Sequence, residues 1–256
     1  MSIKIWIHAV CIAAFAAMAM SGSPTSAAKN SEATTVLITG ANRGIGLEFA
    51  RQFSERGYRV IGTARKPEQA TELKALRAQV EILDVTDSSS VKALAAKLEG
   101  IEIDILINNA GTGGYNAASF LEFDFDQLPM TFDVNSLGPM RVTQALFENL
   151  KQGSDKKIIH ISSVMGSIEN NRGGYYGYRA SKTALNMFNK TLSVELGSQG
   201  FVCVVLHPGW VKTRIGGEGA KLTTEESITG MLAVIDQLSS DNNGHFYDYQ
   251  GNEIPW

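Results

Sequence analysis

Near the start of the chain, the apolar run Thr35 to Thr39 opens directly into Gly40-Ala41-Asn42-Arg43-Gly44-Ile45-Gly46. Leu47, Phe49, Ala50 and Phe53 then follow at helical spacing. A β-run, a glycine turn and an amphipathic helix, in that order, restrict the fold more than any other feature. The helix has to cover a face of the sheet that the strand joins, and the turn brings main chain close to whatever sits against it. Backbone N–H groups at such a turn, with the helix dipole behind them, suit a pyrophosphate. The spacing here is G-x-x-x-G-x-G rather than G-x-G-x-x-G, and a turn that merely needs positive φ would account for the same glycines.

A second constellation lies far downstream, at Tyr178-Arg179-Ala180-Ser181-Lys182. Residues four apart share a helix face, so a phenol and an ammonium sit one turn apart. The cation favours the phenolate and can draw a tyrosine pKa down from about 10, which makes Tyr178 a candidate general acid/base. Tyr175 and Tyr176 crowd beside it, but only Tyr178 has a lysine four residues on. A surface tyrosine packed on a lysine stem is the competing explanation for such a pair taken alone.

Further landmarks follow in order: Asp84-Val85, Asn108-Asn109-Ala110-Gly111, Asp133-Val134-Asn135-Ser136-Leu137-Gly138, Ser162-Ser163, and Pro208-Gly209 with Thr213. Together with the glycine turn and the Tyr/Lys pair they resemble the short-chain dehydrogenase/reductase family, from about Thr34 to the end of the chain. The tail from Gly244 to Gly251, with Ile254-Pro255-Trp256, is similar to the sniffer/C-factor-like carbonyl reductases of that family. The resemblance implies a Rossmann-like α/β fold and an oxidoreductase that interconverts a carbonyl and an alcohol. It implies catalytic roles for Asn135, Ser163, Tyr178 and Lys182. Ser163 would orient the substrate oxygen, Lys182 would bind the nicotinamide ribose, and Asn135 would anchor a water near Lys182. For Asn135 a satisfied helix asparagine is the rival reading. Ser163 and Tyr178 lie fifteen residues apart, two more than in many members, which keeps Ser162 open as the alternate. Cofactor contacts are implied at Gly40, Asn42, Arg43, Gly44, Ile45, Gly46, Arg65, Asp84, Val85, Asn109, Ala110, Gly111, Tyr178, Lys182, Pro208, Gly209, Val211 and Thr213. A C-factor-like signalling role on the same fold is the alternative function.

Cofactor choice turns on the end of the second strand, Gly62-Thr63-Ala64-Arg65. NAD-preferring domains place a carboxylate about twenty residues past the glycine turn to hold the ribose 2′-OH. By resemblance that position is Ala64, which cannot do so. Arg65 beside it and Arg43 inside the turn suit a 2′-phosphate, because a guanidinium matches phosphate geometry and keeps its charge. NADP(H) is the expected cofactor.

The strands are expected at 36–39, 59–63, 79–83, 103–107, 157–161, 201–206 and 244–247. Helices are expected up to residue 56, then over 67–77, 88–98, 129–150, 178–196 and 224–238. Continuous apolar strands alternating with amphipathic helices indicate one doubly wound parallel sheet covered on both faces. The glycine-rich stretch 209–223 reads as a short mobile lid over a small or flat carbonyl substrate.

A net charge of −3 offers no reason to expect a nucleic-acid partner, and 256 residues suit a single domain over 31–256. Cys11 and Cys203 fit neither a disulfide framework nor a metal site, and the scattered histidines show no ligand spacing. Residues 1–30 are different in kind. Lys4, an uncharged run over 9–20 and the small residues from Ser21 to Ala28 resemble a secretory leader, too short for a stable membrane span. The reading favours cytoplasmic function, with Met18 or Met20 as the true start, and export as the alternative. A homodimer is compatible with all of this.

Overall fold

Apolar, β-branched runs become seven strands separated by helices. In chain order these are β1 (Thr35–Ile38), α1 (Gly44–Glu55), β2 (Arg59–Ala64), α2 (Thr71–Ala75), β3 (Gln79–Ile82), α3 (Ser88–Lys97) and β4 (Ile105–Asn108). They continue with α4 (Leu128–Phe132), α5 (Gly138–Ala145), α6 (Phe147–Gln152), β5 (Lys157–Ile161), α7 (Tyr176–Leu196), β6 (Val202–His207), α8 (Thr224–Gln237) and β7 (Phe246–Asp248). The computed structural model describes residues 33–114 and 119–256. The leader-like segment, with His8 and Cys11, lies outside the described residues.

All seven strands pair in parallel, in the order β3-β2-β1-β4-β5-β6-β7. Alternate residues of each strand feed opposite layers. Val36 and Ile38 pack with Phe49, Ala50 and Phe53 of α1 and with Ile228, Met231 and Leu232 of α8. Leu37, between them, faces the other layer with Val91 and Leu94 of α3, Val142 of α5 and Leu196 of α7. Burying each large side chain of this kind contributes about 1.5–3 kcal/mol. The chain winds outward from β1 to β3, then crosses to β4 and winds the other way. The crevice beyond the carboxyl ends of β1 and β4 is the switch point where such folds bind ligands.

Differences from the sequence expectation have local causes. The helix expected over 129–150 is divided into α4, a π-turn at Asp133–Leu137, α5 and α6. Pro139 lacks the N–H that an unbroken α-helix would bring to the Asn135 carbonyl, and the Gly138 N–H instead reaches back to Asp133. Strand β4 begins at Ile105, later than expected, and the Asp104 carboxylate is bound at its entrance. It accepts from the Thr35 N–H and the Ser154 N–H, each at 2.7 Å. In place of a helix over 67–77 there is a 3-10 turn at Pro67–Gln69 followed by α2. No helix among the described residues is long and apolar enough to cross a membrane.

Candidate active site

The glycine turn is braced from β4. Thr39 Oγ1 accepts from the N–H groups of Asn109 (2.9 Å) and Ala110 (3.0 Å), while the Asn109 amide donates to the Thr39 and Gly40 carbonyls. Gly40 and Gly44 adopt φ of +65° and +55°, the left-handed region that glycine enters without strain. A Cβ on Gly46 would collide with the Gly40 carbonyl oxygen and the Asn109 amide, so no other residue fits there. The first turn of α1 has no side-chain cap and no acidic residue. Its N–H groups and positive dipole end are thus left for an external anion. Asn42 and Ile45 complete the turn, half-buried. Arg43 and Arg65 are exposed beside it, and both guanidinia act on each other at Coulombic range.

Asp84 and Val85 close the crevice on the β3 side. The Asp84 carboxylate accepts from the Thr86 N–H and hydroxyl, and Val85 is packed against Gly138. On the far side the Pro208 carbonyl is held by the Ser227 hydroxyl at 2.6 Å, and Gly209 turns at φ +80° under Leu222 and Tyr249. Val211 is buried and bridges to Leu222. Thr213 lies against the glycine turn, its methyl 3.5 Å from the position a Gly44 Cβ would take. The stretch 209–223 is not slack. The Trp210 indole donates to the Gly216 carbonyl (2.8 Å), the Lys212 N–H to Leu222 (2.8 Å) and the Gly217 N–H to Thr213 (2.8 Å). It is a hydrogen-bonded hoop.

Strand β5 and helix α7 bring Ser163, Tyr178 and Lys182 together. Ser163, just past β5, lies near enough to the Tyr178 phenol to favour its ionised form. Ser162 is engaged elsewhere, its hydroxyl donating to Asn186 Oδ1 at 2.8 Å in the buried layer. Of the two serines, Ser163 is the one that faces the phenol. Lys182 is buried, its Nζ 5.9 Å from the centre of the Tyr178 ring and donating to the Ile161 carbonyl at 2.9 Å. Gly111 leaves room here, since a Cβ on it would point between Lys182 Nζ and Asn135 Oδ1.

Burial controls the electrostatics. It pushes the Tyr178 phenol above its ordinary value, with the nearby Ser163 pulling the other way. The depressed phenol expected from the Tyr/Lys spacing is therefore not what this geometry produces, because Lys182 points to a carbonyl rather than to the phenol oxygen. Desolvation lowers Lys182 to about 8, so it still carries its charge at neutral pH. His160, fully buried on β5, is driven down to about 3 by burial and by the nearby Lys182. A neutral imidazole there spares the ammonium a second cation. Burial raises the Cys203 thiol to about 12, which agrees with an inert core residue.

Asn135 sits in the π-turn with its amide committed. Oδ1 accepts from the Thr112 N–H (2.8 Å), and Nδ2 donates to the Thr112 carbonyl (2.9 Å) and to Ser181 Oγ (3.1 Å). The side chain ties the segment after β4 to the helix that carries Tyr178.

Arg179 carries a structural role that no sequence signal marked. It donates to the Gly173 and Gly174 carbonyls (both 3.0 Å) and to Met165, clamping the segment that absorbs the two extra residues before Tyr178. The Trp256 main-chain oxygen holds the other end, accepting from the N–H groups of Ile168 (2.8 Å) and Glu169 (3.1 Å). α7 then opens two residues earlier than expected, on Tyr175 at φ +53°. A non-glycine residue in that region stores strain, held here beside the site. Four aromatic rings gather at the first turn of α7, just ahead of Tyr178: Phe120 and Phe123 lie 6.1 and 5.6 Å from Tyr176, and Phe125 lies 5.0 Å from Phe123.

Comparison with known proteins agrees with this arrangement. The short chain dehydrogenase family profile matches residues 34–221. The chain is 46% identical over 167 residues to C-signal of Myxococcus xanthus, a match covering 65% of this chain and all of that protein. Among solved structures, NADPH-bound carbonyl reductase from chicken fatty liver superposes with a TM-score of 0.81 at 34% identity, covering 88% of this chain and all of the other. Carbonyl reductase Sniffer of D. melanogaster gives 0.81 at 32% identity with the same coverage. The parallel sheet, the glycine turn at its switch point and the profile match together place this chain in the short-chain dehydrogenase/reductase family of oxidoreductases.

Proposed function

We propose that this protein is an NADP(H)-dependent carbonyl reductase in which Tyr178 is the general acid/base. The convergence of Ser163, Tyr178 and Lys182 beside an uncapped glycine turn flanked by arginines carries the reading. Bound nicotinamide would exchange hydride with the carbonyl carbon. Tyr178 would give its proton to the substrate oxygen, and a phenol held protonated by burial suits a proton donor in the reducing direction. Ser163 would orient that oxygen, and the buried ammonium of Lys182 would stabilise charge developing beside it. The aromatic rings just ahead of Tyr178 favour a carbonyl with an apolar or flat body. The domain taken to do this is 31–256, acting in the cytoplasm, with residues 1–30 outside it.

The likeness to C-signal supports a second reading, a cofactor-binding signalling protein. NADPH oxidation assayed against aldehydes, ketones and quinones separates the two. Turnover of any of them is expected, whereas tight NADPH binding with no turnover across the panel would favour signalling.

Cofactor choice has its own test. Arg65→Ala is expected to raise the Kd for NADPH about ten- to hundredfold and leave that for NADH nearly unchanged, since a charge-assisted contact is worth roughly 1.5–3 kcal/mol. Ala64→Asp should go further and favour NADH, because a carboxylate accepts the 2′-OH and repels a phosphate. Equal losses for both cofactors in titrations of Arg65→Ala would remove the basis for NADP(H).

A further inference from the structure

We infer that Arg214, on the hoop that follows β6, is a third phosphate-binding arginine, directed at the diphosphate of the dinucleotide. The inference rests on the NADP(H) reading above for the identity of the ligand.

Three observations converge on it. First, Arg214 follows Thr213, and Thr213 touches the glycine turn at Gly44, next to the uncapped N–H groups of α1. Arg65 arrives from β2, on the opposite side of β1 from β6. The two arginines therefore approach Arg43 from different directions, one by way of the adenosine end and one by way of the turn itself. Second, Arg214 and Arg65 both act on Arg43 at Coulombic range, so the three guanidinia share one neighbourhood at the turn. Third, none of the three guanidinia forms a hydrogen bond or an ion pair among the described residues, although other arginines such as Arg51, Arg56 and Arg141 are paired with carboxylates. Like charges gathered without a counter-charge raise the energy of the site until an anion enters it. Glu218, the carboxylate on the same hoop, forms no ion pair with Arg214.

The hoop makes this more than a stray surface charge. Thr213 is fixed by the Gly216 and Gly217 N–H groups and the hoop is closed by main-chain bonds between Trp210 and Leu222, so the Arg214 backbone is held at the turn. Ile215, the next residue, reaches the Gly113 segment on the substrate side. Arg214 bound to the diphosphate would brace the hoop and, through Ile215, the wall that it forms with the Gly113 segment.

Titrating Arg214→Gln with NADPH and with NADH tests the assignment. Both Kd values should rise by the same factor, about tenfold for one charge-assisted contact, while Arg65→Ala affects NADPH alone. Arg214→Lys should recover part of the loss. Unchanged Kd values, or a loss confined to NADPH, would overturn the diphosphate assignment. A parent protein that does not prefer NADPH would instead unseat the NADP(H) reading, and the NADH arm would still report on Arg214. Tryptic cleavage after Lys212 and Lys221 gives a second readout independent of turnover. Saturating concentrations of either cofactor should protect these sites in the parent but not in Arg214→Gln, and equal protection in both proteins would count against the inference.

Discussion

Tyr178→Phe is expected to lower kcat by at least roughly a hundredfold, the usual scale of a general acid/base contribution, while NADPH still binds. Phenylalanine keeps the ring that packs beside Lys182 and removes only the hydroxyl that lies near Ser163. The fold should be untouched. Tyr176→Phe is the matched control, since Tyr176 belongs to the aromatic group at the first turn of α7 and has no lysine one turn on. It should turn over nearly as the parent does. Single-turnover measurements with bound NADPH give the cleanest comparison, and near-normal rates in Tyr178→Phe would end the assignment.

Lys182→Met should be comparably damaging to turnover and should also weaken cofactor binding. It further predicts a signature in stability. Lys182 is buried, and desolvation brings its folded pKa from 10.5 to about 8. Between those values the unfolded chain holds the proton that the folded protein has released, so folding stability rises with pH across this window. Below pH 8 the buried charge is a standing cost. Relative to Lys182→Met, the parent without cofactor should gain up to roughly 3 kcal/mol on going from pH 7 to above pH 10.5, at about 1.36 kcal/mol per pKa unit. Parallel pH profiles for the two proteins in denaturant titrations would mean that the ammonium is solvated rather than buried.

The sheet was legible in the sequence because its strands are short apolar runs whose residues are buried on both faces, as Thr35–Ile38 and Val202–His207 are. The glycine turn was equally legible, since positive φ and collision with Gly40 leave only glycine at its positions. Helix interruptions were not. Periodicity over 129–150 runs on across the π-turn, and the break depends on where Pro139 falls relative to Asn135. The choice between Ser162 and Ser163 likewise required knowing which hydroxyl Asn186 captures. Arg214 and Arg179 carry no local signal, as each acquires its meaning only when distant segments meet. The glycines of 209–223 suggested slack, but hydrogen bonds that close the segment on itself hold it.

The π-turn at Asp133–Leu137 has a consequence for how this protein can change length. Each residue advances an α-helix by about 100° around its axis. Asn135 must look toward Thr112 and Ser181, while Gly138 and Val142 must look toward Val85 and the sheet. A regular helix cannot present both faces in that phase, and the wide turn absorbs the surplus angle. Deleting one residue here would rewind the segment into ordinary helix and swing one of the two faces away from its partners. The 168–174 segment, where residues project into solvent and only the ends are clamped, can lengthen or shorten without rotating anything. Two stretches of similar size thus face opposite evolutionary constraints, one free to vary in length and the other locked to a single count.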